Sequence, residues 1–412
     1  MEMFEIPLDI PGVKIEKVSI TKEGNFLVTV SSTVIGTRCH KCGRHICKPY
    51  GYGREVTLRH LPILGKKVFI VIRPPRYICE YCDDHTTTTQ QAEWYNWKSI
   101  HTKKYEEYLL LSLVNSTVSD ISIKEDVGYE SVMGAIDRYI SHDVDWENIR
   151  NIDLIGIDEI SLKKGHKDFV TIVTGRADSS ITILAVLKDR TKEVVKKFLL
   201  SIPSRIKKQI KEVCTDMYDG FVNAAKEVFG KKTKITIDRF HIAKHYRKSL
   251  DQARKKEMKK LKSELPEEEY KRYKGIIWLL RKQEMDLTDE DRKLLKDLFE
   301  KAPTLGIVYS MCNELTSLFN SNVSKTKSKN AINRWITKAK DSGLGYFDKF
   351  ISTIGNWMDE VTNYFVNRNT SGFVEGFNNK IKVIKRRCYG ILNPKHLFQR
   401  IFLDVEGYRL FA

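Results

Sequence analysis

One carboxylate heads a row of amides and cations near the end of this chain, in the run from Ser371 to Gly390. Wound as a helix, that run separates into two faces. The apolar face consists of Phe377, Ile381, Ile384 and Cys388. The polar face consists of Glu375, Asn379, Lys382 and Arg386, with Asn378 and Lys385 beside them. Such a row suits a metal ion next to a polyanion, and the alternative is an amphipathic surface helix with a solvated face.

Five of the eight cysteines fall between positions 39 and 82. Four of them form two Cys-x-x-Cys pairs, Cys39 with Cys42 and Cys79 with Cys82. Two such turns closing around one ion are what tetrahedral zinc needs, whereas disulfides are rare inside cells. The 36 residues between the pairs exceed the commonest zinc-ribbon spacing. Substitute ligands therefore stay open, namely His40, His45, Cys47 and His85.

Residues 1–100, which carry these cysteines, are expected to form a β-rich module. The runs 26–30 and 68–72 are rich in β-branched and aromatic residues, as strands are. Basic residues surround them: Arg38, Arg44, Lys48, Arg54, Arg59, Lys66, Lys67, Arg73 and Arg76. We expect this zinc-stapled module to touch DNA backbone, and a purely structural ribbon is the alternative.

Residues 101–148 are expected to form a helix-turn-helix domain. The pattern predicts helices over 105–114, from Ser119 as a cap to about Gly128, and over 131–140. A short helix, a glycine turn and a further helix are typical of a motif that inserts its last helix into the major groove. Lys124 occupies a place usually taken by a small residue, so a plain helical linker is the alternative.

Strand-like and helical runs alternate after Asn151. Strands are predicted over 152–158, 169–173, 181–186, 211–216 and 233–238, and helices over 191–200 and 221–229. This β-β-β-α-β-α-β order is typical of a ribonuclease-H-like core, an α/β sheet with mixed strand directions. We expect residues 149–241 to form the first part of that core.

Two of these predicted strands end in a carboxylate, Asp158 and Asp216. The first and fourth strands are neighbours in this fold, so the two acids would lie side by side. Adjacent carboxylates repel each other and favour a divalent metal. Turn residues or helix N-caps are the alternative. Asp238 and His241, at the end of the fifth strand, are either a supporting pair at the same rim or a simple cap.

The stretch 242–355 is basic and strongly helical in pattern, which predicts an all-helical insertion into the core. Residues 356–412 would then return to the core with the helix of Glu375. Within the insertion, the pattern predicts a loop over Lys325–Lys329. Buried positions are expected for Trp278, Trp335 and Trp357, and base stacking is the alternative.

The charge balance favours nucleic acid as the partner. The chain has 412 residues, a net charge of +18 and a pI near 9.3, and a field of that sign attracts polyanions. No stretch approaches the length of a membrane span, and the first residues lack a basic-then-apolar signal pattern. We therefore expect a soluble, intracellular protein that does not engage membranes.

The motifs together resemble those of the ISL3 family of bacterial insertion-sequence transposases. They occur in the family's order along nearly the whole chain, from about Cys39 to Tyr408. After the zinc knuckles and the helix-turn-helix come the runs Gly156–Ile160, Thr215–Met217, Asp238–His241 and Val374–Lys382. The Val374 block and the Gly156 strand are the most specific of these parts.

The resemblance implies a DDE transposase with a ribonuclease-H-like core. By matched motif, Asp158, Asp216 and Glu375 would be the catalytic acids and would together hold two Mg²⁺ or Mn²⁺ ions, and Asp238 and His241 would support them. The expected DNA-contacting residues on the Glu375 helix are Asn378, Asn379, Lys382, Lys385, Arg386 and Arg387. Expected partners are the terminal inverted repeats, target DNA and at least one further copy of the chain, in the bacterial cytoplasm at the nucleoid.

Two other function classes remain open at this level. One is a ribonuclease-H-like nuclease, such as a junction resolvase, that cuts DNA without joining it to a target. The other is a DNA-binding regulator descended from a transposase. Such a regulator usually loses an acid, whereas this chain keeps all three.

Overall fold

The computed structural model describes residues 8–163, 167–177, 180–368, 372–388 and 391–412, without the side chains of 163, 167–168, 177, 372–375 and 378. The chain divides into two units. Unit 1 comprises Met1–Ser141 and Phe402–Ala412, and unit 2 comprises His142–Ile401.

The first part of unit 1 is built from short strands. They are β1 (Val13–Ile20), β2 (Phe26–Ser32), β3 (Thr37–Arg38), β4 (His45–Ile46), β5 (Pro49–Tyr52), β6 (Val56–Ile63), β7 (Lys66–Ile72), β8 (Pro75–Ile78) and β9 (Thr87–Thr89). Four of them form a sheet in the order β1-β2-β7-β6. Alternating residues such as Val28 and Ile70 bury one face of that sheet. The two strand runs predicted here are confirmed.

The two cysteine pairs lie in tight turns beside two small sheets, β3-β4 and β5-β8-β9. Gly43 ends the first turn with φ +72°, and its N–H donates to the Cys39 carbonyl at 2.9 Å. A left-handed backbone of this kind favours glycine. The second turn follows β8 and is closed by the His85 N–H, which donates to the Cys82 carbonyl at 2.9 Å.

Three helices complete the first stretch of unit 1: α1 (Lys103–Leu113), α2 (Val118–Glu125) and α3 (Tyr129–Tyr139). Their order agrees with the helix-turn-helix prediction. The predicted cap of α2 was wrong, because Thr117 rather than Ser119 accepts the Asp120 N–H at 2.9 Å. A threonine directly before the first helical residue satisfies an amide that the helix itself leaves unpaired.

A buried carboxylate fixes these helices to the preceding loop. Glu106 on α1 is fully buried and pairs with Arg138 of α3. It also accepts hydrogen bonds from Ser99 Oγ at 2.8 Å and Asn96 Nδ2 at 3.0 Å. Because a buried charge needs such partners, the Arg138 side chain serves to neutralise Glu106 within unit 1.

Unit 2 is organised around a five-stranded sheet. Its strands are β10 (Leu154–Lys163), β11 (Lys167–Ala177), β12 (Ser180–Leu187), β13 (Glu212–Thr215) and β14 (Lys234–Ile237), in the order β12-β11-β10-β13-β14. The first three strands form an antiparallel meander, and β13 and β14 add parallel to it. The mixed strand directions agree with the prediction.

The predicted end of the first strand was wrong. β10 continues past Asp158 to Lys163, because Glu159 and Ser161 still pair with β11. Asp158 therefore lies within a strand, at the point where its shorter neighbour β13 ends. Asp216 follows directly after β13, as predicted.

The helices between these strands are α4 (Lys192–Ser201), α5 (Ser204–Lys207) and α6 (Asp219–Phe229). Apart from the single turn α5, the element order is the predicted β-β-β-α-β-α-β. Gly230, with φ +67°, ends α6 as expected. Val173, Leu184 and other residues of the meander are buried in one core with the apolar faces of α4 and α6.

The rest of the chain is helical. It comprises α7 (Arg239–Glu264), α8 (Glu267–Lys271), α9 (Ile276–Leu279), α10 (Asp289–Lys301), α11 (Pro303–Asn320), α12 (Lys325–Asp341), α13 (Asp348–Asn356), α14 (Met358–Asn367), α15 (Gly372–Arg387) and α16 (Pro394–Phe411). Helix α14 packs on the sheet, where Asn363 Nδ2 donates to the Ile235 carbonyl of β14 at 2.8 Å.

Two predictions for this helical region were wrong. Lys325–Lys329 begins α12 rather than forming a loop, because Ser324 caps the helix and accepts the Lys327 N–H at 3.3 Å. Trp278 is 66% exposed, although Trp335 and Trp357 are buried as expected.

Candidate functional sites

Asp158 and Asp216 lie side by side on neighbouring parallel strands. Ile157 of β10 pairs with Thr215 of β13, so each aspartate is the residue directly after that pair. The Asp158 side chain is 22% exposed. Asp216 Oδ1 is buried and has no hydrogen-bond partner among the described residues. The predicted adjacency of the two acids is therefore confirmed.

The environment of Asp158 and Asp216 disfavours the ionised form of both carboxyl groups. Burial raises the pKa of Asp216 to about 6, and the charge of Asp158 adds to that shift while His241 opposes it. Burial also raises the pKa of Asp158. The Glu159 N–H partly offsets this by donating to Asp158 Oδ1 at 2.7 Å. A cation between the two carboxylates would relieve both effects.

Asp238 and His241 stand at the same rim. Asp238 is the N-cap of α7 and accepts the Phe240 N–H at 3.0 Å, and its own N–H donates to the Thr215 carbonyl at 2.8 Å. His241 Nε2 lies 4.0 Å from Asp158 Oδ1 and 3.9 Å from Asp238 Oδ2. Asp238 therefore caps α7, and the helix that begins there places the His241 imidazole beside Asp158.

The donor set fits a divalent cation of the magnesium type. Mg²⁺ prefers carboxylate oxygens and is held in proteins by one or two carboxylates together with substrate oxygens. The Asp216 oxygen that lacks a partner in the described structure is a free acceptor of this kind. Asp158 and Asp216 would therefore hold such an ion, with Asp238 and His241 next to them.

Helix α15 has the two faces that its sequence predicts. Phe377, Ile381 and Ile384 are buried, whereas Asn379, Lys382 and Arg386 are exposed. The Lys382 charge is close enough to Asp158 to stabilise that carboxylate and lower its pKa. The exposed face of α15 therefore approaches the acid pair with a positive charge.

The remaining predicted residues of α15 differ in their environment. Lys385 is half-buried, its ammonium donates to the Ser161 carbonyl of β10, and burial lowers its pKa. Its amine thus already has a partner within unit 2, which the sequence did not indicate. Arg387 is half-buried. The side chains of Glu375 and Asn378 lie outside the described part of the structure, although the backbone of both is helical.

Arg190 is a neighbour of the acids that the sequence analysis missed. Its Nη1 donates to Glu159 Oε2 at 2.9 Å, and its guanidinium lies over the ring of Tyr218 at 5.3 Å. The hydrogen bond to Glu159 raises the pKa of this arginine, and the charge of Asp216 adds to the shift. It lies in an irregular segment between β12 and α4, where no periodic pattern marks it.

The four cysteines of the two knuckles converge in unit 1. Cys39 Sγ lies 3.9 Å from Cys82 Sγ, and Cys42 Sγ lies 3.7 Å from Cys79 Sγ. All four sulfurs lie within 4.8 Å of one another. Zn–S bonds of about 2.3 Å in a tetrahedron separate the sulfurs by roughly 3.8 Å. The cluster therefore fits one structural zinc ion.

None of the substitute ligands belongs to this cluster as the described residues form it. His40 Nδ1 is 3.0 Å from Thr88 Oγ1, and His85 Nδ1 is 3.2 Å from the Cys79 carbonyl. Cys47 is exposed. The backbone N–H of Cys42 lowers the pKa of the Cys39 thiol to about 6, which favours the thiolate that binds metal.

Among the described residues of unit 1, exposed arginines without an ion pair lie on the zinc module rather than on α3. The exposed face of α3 carries Glu130 and Asp137, and its Arg138 is paired with Glu106. By contrast, Arg38 and Arg54 are exposed and have no ion pair within the described ranges. In the same module, Tyr50 and Tyr52 of β5 are 55% and 69% exposed. This basic and aromatic surface suits a phosphate backbone.

Nowhere in the described ranges is a helix both long and apolar enough to span a bilayer.

Comparisons with known proteins agree with this arrangement. A family model described as a transposase matches residues 155–401. A second model, described as the zinc-finger of transposase IS204/IS1001/IS1096/IS1165, matches residues 36–82 and so includes all four clustered cysteines.

Two similar proteins are transposases by name. The transposase for insertion sequence element IS1001 of Bordetella parapertussis is 24% identical over 370 residues, covering 90% of this chain and 89% of that protein. The transposase for insertion sequence element IS1557 of Mycobacterium tuberculosis is 24% identical over 396 residues, covering 90% and 86%. With the transposase model matched across most of unit 2 and the zinc-finger model across the cysteine cluster, the chain belongs to the ISL3 family of transposases.

Proposed function

We propose that this chain is a DNA transposase that binds the terminal inverted repeats of its insertion sequence and catalyses metal-dependent strand cleavage and strand transfer. The observation that carries the proposal is the pair of half-buried aspartates at the matched positions of two adjacent parallel strands, with a buried Asp216 oxygen that has no partner within the described structure. The names of the similar proteins support the same function.

We assign the chemistry to Asp158, Asp216 and Glu375. A bound Mg²⁺ or Mn²⁺ supplies activation of the attacking oxygen and stabilisation of the leaving oxygen in phosphodiester displacement. Asp158 and Asp216 would hold such ions, and Glu375 would complete the ligand set from α15. His241 Nε2, 4.0 Å from Asp158 Oδ1, would stabilise the negative charge of that carboxylate. Lys382 and Arg386 on the exposed face of α15 bind the phosphates of the reacting strand.

The sheet and its strand directions support a ribonuclease-H-like core for this chemistry. In that scheme, residues 149–241 and 356–412 form the core, and residues 242–355 form the helical insertion between the second and third acids. The core would present β10 and β13 to DNA, since the acids lie where those two strands part.

Recognition of the element ends is assigned to residues 1–148. Within them, the zinc module of residues 1–100 offers exposed arginines, and residues 101–148 offer the three helices. Two element ends must be held together, so we propose a homodimer or larger assembly acting on DNA at the bacterial nucleoid.

The test is an incubation of purified protein with labelled element-end DNA and an unlabelled target plasmid in Mg²⁺ or Mn²⁺. A transposase yields nicked or cut ends and joined products. Cutting without any joined product would favour a nuclease that lacks strand transfer. End binding without cutting would favour a DNA-binding regulator.

A further inference from the structure

A cavity in unit 2 lies beside the first half of α7. It has a volume of about 840 Å³ and is bounded by α7, the region of α9 and Thr316 of α11. One of its lining residues is Asp238, whose Oδ2 is 3.9 Å from His241 Nε2. The cavity therefore begins at the rim that also carries the acid pair.

The lining of this cavity is strongly cationic. Six arginines and lysines face two carboxylates, and those two are already engaged. Asp238 caps α7, and Asp251 binds Arg254 at 2.8 Å and Lys255 at 3.0 Å. Four of these cations have no hydrogen bond or ion pair from their side chains within the described ranges, namely Lys244, Arg247, Lys248 and Arg281. Unpaired cations of this kind attract a polyanion.

The rest of the lining is apolar and aromatic. Phe240 is 51% exposed although it begins a long helix, and Ile277 and Leu280 line the opposite side. The guanidinium of Arg281, a further lining residue, lies over the exposed Trp278 ring at 5.7 Å. Aromatic rings and guanidinium planes are the groups on which unpaired bases stack.

The size of the cavity decides between duplex and single strand. Its volume is that of a small-molecule site. It is too small for a duplex, whose major groove alone is about 12 Å wide. Unpaired nucleotides have both features that the cavity matches, a charged backbone and flat apolar bases.

We propose that this cavity binds unpaired nucleotides of one DNA strand next to the reacting acids. Lys244, Arg247 and Lys248 bind its phosphates, and Phe240 contacts a base. The proposal rests on the proposed function in one respect: the bound strand would come from the opened end of the insertion sequence. The binding itself needs neither metal nor chemistry.

The test is fluorescence anisotropy with the full chain, a chelator and a labelled oligothymidylate of about ten nucleotides, a length typical of single-strand sites. The variant Arg247→Glu with Lys248→Glu should weaken binding roughly tenfold or more. The control is Lys259→Glu with Lys262→Glu, an equal charge change at exposed positions of the same helix outside the cavity lining. It should weaken binding by roughly twofold at most. Equal losses in both variants would reduce the effect to general charge and overturn the site.

A second comparison tests the base contact. Phe240→Leu keeps an apolar side chain but removes the ring, and should weaken oligothymidylate binding by roughly fivefold or more, given the strength of base–aromatic stacking. The same variant should not change binding of an abasic oligonucleotide of equal length. An equal effect on both probes would overturn the stacking contact, and unchanged binding of both would overturn the role of Phe240.

Failure of the cavity proposal and failure of the proposed function give different experimental results. Asp158→Asn with Asp216→Asn should abolish cleavage and still bind oligothymidylate at wild-type strength or tighter. If cleavage fails in the wild-type protein while the cavity variants still lose binding, the proposed function falls and the cavity stands. If duplex binds as tightly as oligothymidylate and is lost equally in the Arg247 variant, the preference for unpaired strands falls.

Discussion

Asp158 and Asp216 are each the first residue after a single paired position, Ile157 opposite Thr215, on two parallel strands. Parallel pairing places equivalent residues at the same height of a sheet, so their side chains share one rim. Burial raises the pKa of Asp216 to about 6, and the like charge of Asp158 adds to that shift. The pair thus combines proximity, burial and an orphaned oxygen, which are the features that a cation site requires.

Divalent metal should stabilise the folded protein through this pair. With Mg²⁺ or Mn²⁺ at about a hundred times the dissociation constant, the gain is roughly 2.7 kcal/mol, or about 5 °C in Tm. Asp158→Asn with Asp216→Asn should remove this gain, because both assigned ligands are lost. Differential scanning fluorimetry with a metal series measures it.

The matched control for that measurement is Asp219→Asn, an exposed acid in the first turn of α6. It should keep the full stabilisation. A metal-dependent rise in Tm that survives in the double variant would move the cation site elsewhere.

Zinc should be bound by the four clustered cysteines at about one ion per chain. Cys79→Ser with Cys82→Ser removes two of the four thiolates. Because structural zinc contributes folding energy directly, this variant should lose the ion and the order of the β3–β9 region. Elemental analysis gives the zinc content, and hydrogen exchange gives the order of that region.

Cys47→Ser is the matched control, since Cys47 is exposed and outside the cluster. Full zinc content in that variant and loss in the double variant is the expected pattern. Zinc retained by the double variant would exclude this ligand set.

Unit 1 should lose stability as the pH falls, through His101. Burial lowers the pKa of this histidine from 6.5 to about 4, and Arg138 and Arg59 add to the shift while Glu106 opposes it. The folded state therefore favours the neutral ring. Its stabilising effect is complete above pH 6.5 and is lost as the pH falls towards 4.

Between pH 7 and pH 5 the expected loss from this one group is about 2 kcal/mol. Hydrogen exchange of the α1 amides at both values measures it. The His101→Phe variant cannot titrate at this position. Its loss of stability between pH 7 and pH 5 should therefore be about 2 kcal/mol smaller than that of the wild-type protein. An equal pH dependence in the variant would show that other groups, such as the zinc thiolates, carry the whole effect.

DNA binding by the zinc module should depend on Arg38 and Arg54. Replacing both by alanine removes two unpaired cations, so affinity should fall by a similar factor for element-end and scrambled DNA. The slope of log K against log salt should become shallower by about 2. Gel-shift titrations over a salt series measure both quantities.

Lys17→Ala with Lys22→Ala is the control, because both lysines are exposed but lie in and after β1 of the larger sheet. It should leave the slope nearly unchanged. An equal change in the control would show that unit 1 attracts DNA by its overall charge alone.

Much of the site could be predicted from the sequence, because the strands and the helix that carry it show local periodicity. The alternation of β-branched residues predicted the strands that carry Asp158 and Asp216, and the helix period predicted the buried stripe of Phe377, Ile381 and Ile384. The Cys-x-x-Cys spacing likewise identified the zinc cluster, since both turns are short-range features.

Features that depend on long-range packing could not be predicted from the sequence. The extension of β10 past Asp158 depends on its pairing with β11, and the bond from Lys385 to the Ser161 carbonyl joins residues far apart in the chain. The same holds for Arg190, which lies outside any periodic element. The predicted loop at Lys325 failed for a different reason, because the Ser324 cap outweighed the polar composition of the following residues.

The most direct test of the account is cleavage of labelled element-end DNA by single variants of the three assigned acids. Asp158→Asn, Asp216→Asn and Glu375→Gln should each lose at least roughly a thousandfold in rate, because each removes a metal ligand from the reacting centre. End binding should persist or tighten, since a negative charge facing phosphate is removed. Asp219→Asn should cut like the wild-type protein. Wild-type cleavage by the Asp216→Asn variant, or equal cleavage by the unmodified protein in excess chelator, would contradict the central claim.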